Sequence, residues 1–279
     1  MKIVVVGANH AGTAAINTIL DNYKDAKVTV FDRNTNISFL GCGMALWIGG
    51  QIAGSEGLFY SSKDKLESKG ADIHMGTEVY DIDFENKIVY AKSQCGKEYK
   101  ESYDKLILSP GARAIRPSSI KGVDRDNVFT VKNVVDIDGL KKYIDNNNVQ
   151  DVAVIGGGFI GLEVMESLRE AGKNVTLVEG SDQILAPMDY DLVQILNKEI
   201  YDNGVELLYN EKLEEVTDGK VILESGKEVK AGAVVLAIGV VPEAGLAKDA
   251  GLDFGETGGI LVNHHYQTSD PNIYAVGDA

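Results

Sequence analysis

One supersecondary pattern occurs twice in this chain of 279 residues, and it restricts the possible folds more than any other feature. Each copy contains an apolar strand, a glycine-rich turn, a helix, a second strand and an acidic residue. The first copy starts at Lys2 and ends at Asp32, and the second starts at Val152 and ends at Glu179. Strands that alternate with helices predict parallel sheets. We therefore expect an α/β fold with two Rossmann-like dinucleotide-binding domains.

The two copies are also similar downstream. In each, short alternating strands joined by glycine-containing turns lead to an apolar strand that ends at a glycine, Gly111 in the first copy and Gly239 in the second. This pattern predicts a small antiparallel meander beside each parallel sheet. We predict that residues 1–118 and 244–279 form one discontinuous domain, and that residues 119–243 form the other.

The glycine-rich turn of the second copy carries the stronger motif. Gly156, Gly158 and Gly161 stand between a predicted strand and a predicted helix, where they permit a tight turn, close approach of a pyrophosphate and close helix packing. Glu179, at the end of the next strand, can bind the adenosine ribose hydroxyls and repel a 2′-phosphate. This copy is therefore predicted to bind NADH in preference to NADPH. The other contacts predicted from the turn and from the returning strand are Phe159, Ile160 and Gly239.

The turn of the first copy departs from that motif. Gly7 and Gly12 are in place, but Asn9 replaces the middle glycine, which weakens the prediction. Asp32 in the ribose-binding position and the repeated architecture strengthen it. Near the end of the chain, Asp278 follows a predicted strand and suits a ribityl hydroxyl of FAD. The first copy is therefore predicted to bind FAD.

Cys42 is the strongest candidate for a redox centre. Gly41 and Gly43 flank it and predict a turn that opens a helix, whose positive N-terminal end would favour a thiolate. No partner cysteine follows within a few residues, and Cys95 falls in the predicted meander. A lone thiolate would have to cycle through a sulfenic acid or a mixed disulfide. A buried cysteine with no chemical role is the alternative.

These residues together resemble the single-cysteine branch of the flavin-dependent pyridine nucleotide-disulfide oxidoreductases, and most of all its water-forming NADH oxidases. The similarity extends over essentially the whole chain. The stretches that carry it are residues 7–14, 36–50, 51–54, 57–61, 103–107 and 274–279.

The resemblance implies that His10 faces the flavin and the redox cysteine. It also implies that hydride passes from NADH to FAD and then to dioxygen, giving water while Cys42 alternates between thiolate and sulfenic acid. Glu163 is expected near the nicotinamide. The FAD contacts predicted from the turn and from the resemblance are Gly7, Asn9, Gly12, Asp32, Arg33, Val79, Ser109, Gly111, Lys132 and Asp278.

Three alternatives remain open at this level. NADH peroxidase and coenzyme A-disulfide reductase could use the same cysteine, so the electron acceptor could be dioxygen, peroxide or a small disulfide. His10 favours the oxygen or peroxide branch, whereas residues 128–210 look more like the coenzyme A-disulfide reductases. A flavin-bearing redox sensor without turnover is the alternative from a different class.

Composition excludes several other partners. The formal net charge of −15 opposes binding to nucleic acid or to anionic lipid, so phosphates must be held by backbone amides or helix ends. We find no signal peptide and no apolar run long enough to span a bilayer, and the two cysteines form no disulfide framework. A cytoplasmic location is therefore expected. His264 and His265 are predicted to be neighbours in a strand, on opposite faces, so no metal site is expected.

The resemblance also bears on assembly. Members of the family continue beyond the position of Ala279 into further FAD contacts and a C-terminal dimerisation domain. We therefore expect a homodimer for the full-length protein.

Overall fold

The computed structural model describes residues Met1–Ala279 and has the α/β architecture that the sequence predicts. The chain divides into two compact units. Unit 1 contains Met1–Leu40, Leu58–Arg113 and Val241–Ala279, and unit 2 contains Gly41–Gly57 and Ala114–Val240. The predicted boundaries put residues 41–57 in the first domain, whereas in the structure they belong to unit 2. The assignment of FAD to one unit and NADH to the other stays a prediction.

The strands are short, as is usual for α/β proteins, and apolar β-branched residues dominate the central ones. The strands of the first 114 residues are β1 (Lys2–Val6), β2 (Lys27–Asp32), β3 (Ala71–Met75), β4 (Thr77–Asp83), β5 (Ile88–Ser93), β6 (Glu98–Ser102), β7 (Lys105–Leu108) and β8 (Ala112–Ala114). The strands that follow are β9 (Val128–Thr130), β10 (Asp151–Ile155), β11 (Asn174–Val178), β12 (Glu206–Leu208), β13 (Leu213–Val216), β14 (Lys220–Leu223), β15 (Glu228–Lys230), β16 (Ala233–Leu236), β17 (Val240–Pro242) and β18 (Ile273–Ala275).

Helices connect the parallel strands or precede them. They are α1 (His10–Asn22), α2 (Met44–Ile48), α3 (Lys63–Glu67), α4 (Val134–Asn146), α5 (Phe159–Glu170), α6 (Tyr190–Asp202) and α7 (Gly245–Asp249). Two short 3₁₀ turns, Gly41–Gly43 and Ser55–Leu58, complete the helical segments. None of the helices is long and apolar enough to cross a bilayer.

Unit 1 is built on a five-stranded parallel sheet with the order β18-β7-β1-β2-β3. Its central strand β1 is buried on both faces. Ile3 and Val5 pack on the side of α1, while Val4 and Val6 pack with residues of the meander β4-β5-β6. This alternation follows from the two-residue period of a strand. The turn after β1 therefore starts from a rigid, fully covered sheet.

Unit 2 repeats this plan with the order β12-β11-β10-β16-β9 in its parallel sheet and β13-β14-β15 in its antiparallel meander. Ala153 and Ile155 of β10 pack with Val221 and Leu223 of the meander. The fifth strand of the sheet, however, precedes the repeated pattern in unit 2 (β9) and follows it in unit 1 (β18). The two sheets thus have the same form, although their edge strands come from different places in the sequence.

Candidate dinucleotide sites and redox residues

The second glycine-rich turn joins β10 to α5 in unit 2. Gly156 has a φ of +106°, and an added Cβ there would lie 2.5 Å from the carbonyl oxygen of Ala237. At Gly161 an added Cβ would overlap the carbonyl oxygen of Gly156. Only glycine fits these two positions, because the helix packs directly against the turn and the returning strand β16.

Gly158 differs from its neighbours, because an added Cβ there would meet no atom within 4 Å. It is the N-cap residue of α5, and no side chain accepts hydrogen bonds from the first turn of this helix. The unpaired N–H groups of a helix N-terminus attract anions. The turn therefore leaves open space next to a group of free donors, as a pyrophosphate requires.

Glu179 follows β11 and turns back toward the glycines. One of its carboxylate oxygens accepts a hydrogen bond from the backbone N–H of Gly157 at 2.6 Å, and the other accepts one from Ser181 at 2.7 Å. The acidic side chain is thus fixed beside the turn and remains half-buried. This is the position from which a carboxylate can bind ribose hydroxyls.

A cleft of about 650 Å³ opens at this turn. Pro117, Ile120 and Leu213 provide apolar parts of its wall. The residues that line it and that the sequence predicts to bind NADH are Gly156, Gly158, Phe159, Ile160, Glu179 and Gly239. Two predicted NADH residues lie elsewhere on α5: Gly161 is buried against the turn, and Glu163 is on the exposed face of the helix.

Glu211, which the sequence motifs do not indicate, also lines the cleft. One carboxylate oxygen accepts a hydrogen bond from Ser225 at 2.7 Å, but the other is buried without any hydrogen-bond partner. The backbone N–H of Glu211 donates to the carbonyl of Glu179 at 3.1 Å, so it lies next to the predicted ribose-binding acid. Buried acceptors normally have a donor. The residues of this cleft therefore fit a dinucleotide, which brings hydroxyl and amino donors.

The first glycine-rich turn has similar geometry in unit 1. Gly7 has a φ of +95°, and an added Cβ would overlap the carbonyl oxygen of Ser109. The hydroxyl of Ser109 donates to the carbonyls of Val6 and Gly7 at 3.0 and 2.9 Å and so holds the turn. At Gly12 an added Cβ would overlap the carbonyl oxygen of Gly7. The N-cap residue of α1 is Asn9, whose side chain makes no capping hydrogen bond.

Asp32 ends β2 and is the counterpart of Glu179. One carboxylate oxygen accepts a hydrogen bond from the N–H of Ala8 at 2.6 Å, and the other accepts one from Asn34 at 2.8 Å. Asp32 is buried, and this burial raises its pKa, while the hydrogen bonds from Asn34 and Ala8 act in the opposite direction. An uncapped helix end beside a fixed carboxylate fits the adenosine part of FAD in the same way as the second turn fits NADH.

The remaining predicted FAD residues occupy different environments. Asp278 follows β18, and an added Cβ on the preceding Gly277 would lie 2.9 Å from Ala11, so this segment lies at the first turn of α1. Arg33 and Gly111 both contact Glu243: Arg33 forms an ion pair with its carboxylate at 3.3 Å, and the carbonyl of Gly111 accepts a hydrogen bond from its N–H. Val79 is buried in the core of unit 1. Lys132 lies in unit 2 between β9 and α4.

The two residues predicted to be catalytic are both exposed, and they belong to different units. His10 is the first residue of α1 in unit 1, and its Nδ1 lies 3.3 Å from the hydroxyl of Tyr60. Cys42 is a free cysteine in unit 2, in the 3₁₀ turn before α2.

The segment that carries Cys42 is attached to the helices of unit 2. Helix α2 packs against α4 and α5, and Trp47 and Ile48 are buried. The side-chain amide of Gln51 donates to Glu170 of α5 at 2.6 Å. Helix α2 has only five residues, so the predicted helix after Cys42 is short. The position of this segment depends on side-chain packing, which the sequence motif does not reveal.

The prediction of a strand at His264 and His265 is wrong. Both residues lie in a turn, where the side chain of Asn263 accepts hydrogen bonds from the N–H groups of His265 and Gln267. Local side-chain-to-backbone bonds of this kind compete with strand pairing. Cys95 is exposed in the turn between β5 and β6. The described chain contains no cluster of three or more histidine, cysteine, aspartate or glutamate side chains arranged to hold a metal ion.

A family model described as pyridine nucleotide-disulphide oxidoreductase matches residues 1–279. The chain belongs to this family. Among curated members it is 43% identical over 295 residues to the NADH oxidase of Streptococcus pneumoniae serotype 4, an alignment that covers 99% of this chain. The chain spans only 64% of the length of that S. pneumoniae NADH oxidase.

Solved structures of other proteins have the same fold. The crystal structure of reduced CoADR-RHD from Bacillus anthracis has a TM-score of 0.97 at 39% identity, covering 100% of this chain and 51% of that one. The water-forming NADH oxidase of Lactobacillus brevis, bound to NADH, has a TM-score of 0.93 at 35% identity, covering 99% and 61%. These similarities confirm the predicted class of two Rossmann-like units with small meanders.

Proposed function

We propose that the complete protein is an FAD-dependent NADH oxidase that transfers electrons from NADH to dioxygen and forms water. The cleft of unit 2 is the observation that carries this proposal, since six of the residues predicted from the sequence to bind NADH line it. Relatives named NADH oxidase at 43% identity support the same activity.

The second glycine-rich turn would bind NADH. The free N–H groups at the start of α5 would hold the pyrophosphate, and Glu179 would accept hydrogen bonds from the adenosine ribose hydroxyls. The same carboxylate would repel a 2′-phosphate, which favours NADH over NADPH. Glu163 stays a proposed contact near the nicotinamide, and its support is the family resemblance alone.

The first turn would bind FAD. The start of α1 would hold its pyrophosphate, Asp32 its adenosine ribose, and Asp278 its ribityl chain. Bound FAD would supply the two-electron chemistry that connects a hydride donor with dioxygen. The protein would contribute orientation of the two dinucleotides and the charged groups around them.

Cys42 would complete the reduction of oxygen to water. Its thiolate would attack hydrogen peroxide, so that the sulfur gains one oxygen as a sulfenic acid and the second oxygen leaves as hydroxide, which takes up a proton to form water. A further NADH would supply the hydride equivalent that returns the sulfenic acid to the thiolate, releasing a second water. His10 would stabilise the negative charge that develops on the leaving oxygen.

Coenzyme A-disulfide reduction is a second candidate. The similarity to the B. anthracis CoADR-RHD structure favours it, because that match has the higher TM-score of the two solved structures described above. In this reaction Cys42 would hold coenzyme A as a mixed disulfide instead of forming a sulfenic acid. NADH peroxidase is the remaining alternative that uses the same thiolate. For the full-length protein we also propose a homodimer, as the family resemblance implies, and a cytoplasmic location.

Consumption of NADH by the FAD-loaded protein tests these proposals. The rate should be measured separately with dioxygen, hydrogen peroxide and coenzyme A disulfide as the electron acceptor. In the reaction with dioxygen, an assay for released hydrogen peroxide distinguishes peroxide from water as the product. We expect the wild-type protein to use dioxygen and to release little peroxide. The variant Cys42→Ser should still consume NADH, but it should release hydrogen peroxide in place of water.

The second free cysteine provides a matched control. Cys95 is exposed in a turn of the unit 1 meander, and Cys95→Ser should form water as the wild type does. Water formation that persists in Cys42→Ser would contradict the proposed role of this cysteine. Faster NADH consumption with coenzyme A disulfide than with dioxygen would favour the second candidate.

A further inference from the structure

The side chain of Tyr60 is the immediate neighbour of His10 within unit 1. Its hydroxyl lies 3.3 Å from Nδ1 of the imidazole. The two rings are nearly parallel, with an interplanar angle of 15° and centroids 5.5 Å apart. Nδ1 of His10 therefore has Tyr60 as its partner, while Nε2 makes no hydrogen bond.

Tyr60 stands on a segment that is fixed on both sides. Phe59 forms an isolated antiparallel bridge with Phe39. Ser61 donates its N–H to the hydroxyl of Ser38 at 2.7 Å and accepts a bond from that hydroxyl on its carbonyl at 2.8 Å. The backbone on both sides of the tyrosine is therefore tied to Phe39 and Ser38.

Ser38 connects this segment to the first glycine-rich turn. Its N–H donates to the carbonyl of Ala8 at 3.2 Å, two residues before His10. Ser38 is fully buried and has a φ of +59°, a left-handed conformation that costs free energy in a residue other than glycine. The surrounding structure maintains this strained conformation, and the conformation aligns the Tyr60 segment with the start of α1.

The chemistry of the two groups determines which one donates. A phenol is a strong donor and a weak acceptor, whereas the unprotonated nitrogen of a neutral imidazole is a strong acceptor. Partial burial raises the pKa of Tyr60, while a hydrogen bond with the side chain of Thr13 acts in the opposite direction, so the hydroxyl keeps its proton at neutral pH. The favoured arrangement is therefore O–H of Tyr60 donating to Nδ1 of His10, which puts the proton of the neutral imidazole on Nε2.

We propose that Tyr60 is a positioning residue that holds His10 in the Nε2–H tautomer and leaves this N–H as the only donor the ring can direct at a reacting atom. The inference rests on the proposed function, in which His10 stabilises negative charge on a leaving oxygen. A donor at Nε2 is what that role requires, because an unprotonated nitrogen there would repel the developing anion.

The tautomer of His10 can be measured directly by ¹⁵N chemical shifts of the imidazole nitrogens at a pH where the ring is neutral. The protein has four histidines, and His10→Gln assigns the signals of His10 by their loss. In the wild type we expect a protonated Nε2 and an unprotonated Nδ1. Tyr60→Phe keeps the aromatic ring but removes the donor. In this variant the ¹⁵N chemical shifts of both His10 nitrogens should move toward the values of a mixture of the two tautomers.

Tyr23→Phe is the matched control, since Tyr23 is also exposed and its hydroxyl makes no hydrogen bond. It should leave the spectrum of His10 unchanged. A protonated Nδ1 in the wild type, which needs no variant to detect, would overturn the inference. A tautomer that is the same in Tyr60→Phe and the wild type would overturn it as well.

Turnover separates this inference from the proposed function on which it rests. Tyr60→Phe should slow water formation by about threefold to tenfold, the range expected for one neutral hydrogen bond. The double variant Tyr60→Phe/His10→Gln should form water at the same rate as His10→Gln alone, because Tyr60 acts through His10. If the tautomer shifts while His10→Gln forms water at the wild-type rate, the positioning role of Tyr60 stands and the proposed role of His10 fails.

Discussion

Each of the two units contains one copy of the glycine-rich turn, and the two copies offer a ligand different surroundings. In both, a carboxylate at the end of the second strand accepts a hydrogen bond of 2.6 Å from the turn, at Ala8 in unit 1 and at Gly157 in unit 2. In unit 1 this carboxylate, Asp32, is buried, whereas Glu179 in unit 2 is half-buried at the edge of an open cleft.

The middle position of the turn shows a second difference. In unit 2 it is Gly158, which faces open space, while in unit 1 it is Asn9. In unit 1 the C-terminal segment around Gly277 also contacts the first turn of the helix. We interpret unit 1 as suited to a cofactor that stays bound and unit 2 as suited to a substrate that enters and leaves. The same fold can serve both purposes through changes at a few turn positions.

Exchanging the middle residues tests this comparison most strongly. Gly158→Asn gives unit 2 the residue of unit 1 and should weaken NADH binding by about tenfold to a hundredfold, because its side chain occupies the approach to the helix end. Asn9→Gly should leave FAD retention unchanged. Fluorescence titration with NADH and measurement of bound flavin after gel filtration would provide both values.

Gly139→Asn is the matched control for the same substitution. An added Cβ at Gly139 in α4 also meets open space, but this residue does not line the cleft. The control should bind NADH as the wild type does. Equal NADH affinity in Gly158→Asn and the wild type would show that the two turns are equivalent at this position.

Glu179→Gln is expected to have an intermediate effect on cofactor choice. The amide keeps the size of the side chain but removes the charge that repels a 2′-phosphate. The ratio of NADPH to NADH dissociation constants should fall by about tenfold, or ~1.4 kcal/mol. Glu224→Gln, which lies on the same cleft, should leave the ratio unchanged. Equal binding of both cofactors by the wild type would mean that Glu179 does not select between them.

The smallest effect concerns the buried acid of unit 1 and depends on pH. Burial raises the pKa of Asp32 above its ordinary value of 3.8, so the folded chain binds this proton more tightly than the unfolded chain does. Its contribution to stability is therefore complete below pH 3.8 and is lost as the pH rises through the raised value.

Asp32→Asn removes this dependence. The free energy of unfolding of the wild type, relative to the variant, should decrease as the pH rises above 3.8, in urea denaturation without cofactors. A difference that is constant or that increases with pH would show that burial does not dominate at Asp32. The difference in burial between Asp32 and Glu179 would then have no effect on how Asp32 titrates.

The turns could be predicted from the sequence because their requirements are local. The motif requires an apolar strand, glycines at positions such as 156 and 161, and an acid after the next strand. All of these requirements come from backbone geometry within some 25 residues. The structure shows the predicted strand, helix and strand in both copies. The error at His264 and His265 has a local cause too, since Asn263 stabilises a turn that the apolar pattern does not indicate.

Other features depend on contacts between distant parts of the chain. Residues 41–57 belong to unit 2 because α2 packs against α4 and α5, which are about 90 to 120 residues away in the sequence. Glu211 reaches the cleft of unit 2 from the loop after β12, and no motif includes it. Tyr60 meets His10 where Ser38 links its segment to the first turn.

The sequence by itself determined the fold class, the two glycine-rich turns and the two acids, since periodicity and turn chemistry act over short distances. Only the tertiary structure decided which edge strand completes each sheet, how open each turn is and which side chain holds His10. These properties arise from burial and from hydrogen bonds between residues far apart in the chain. Their geometry exists only once the segments are packed together.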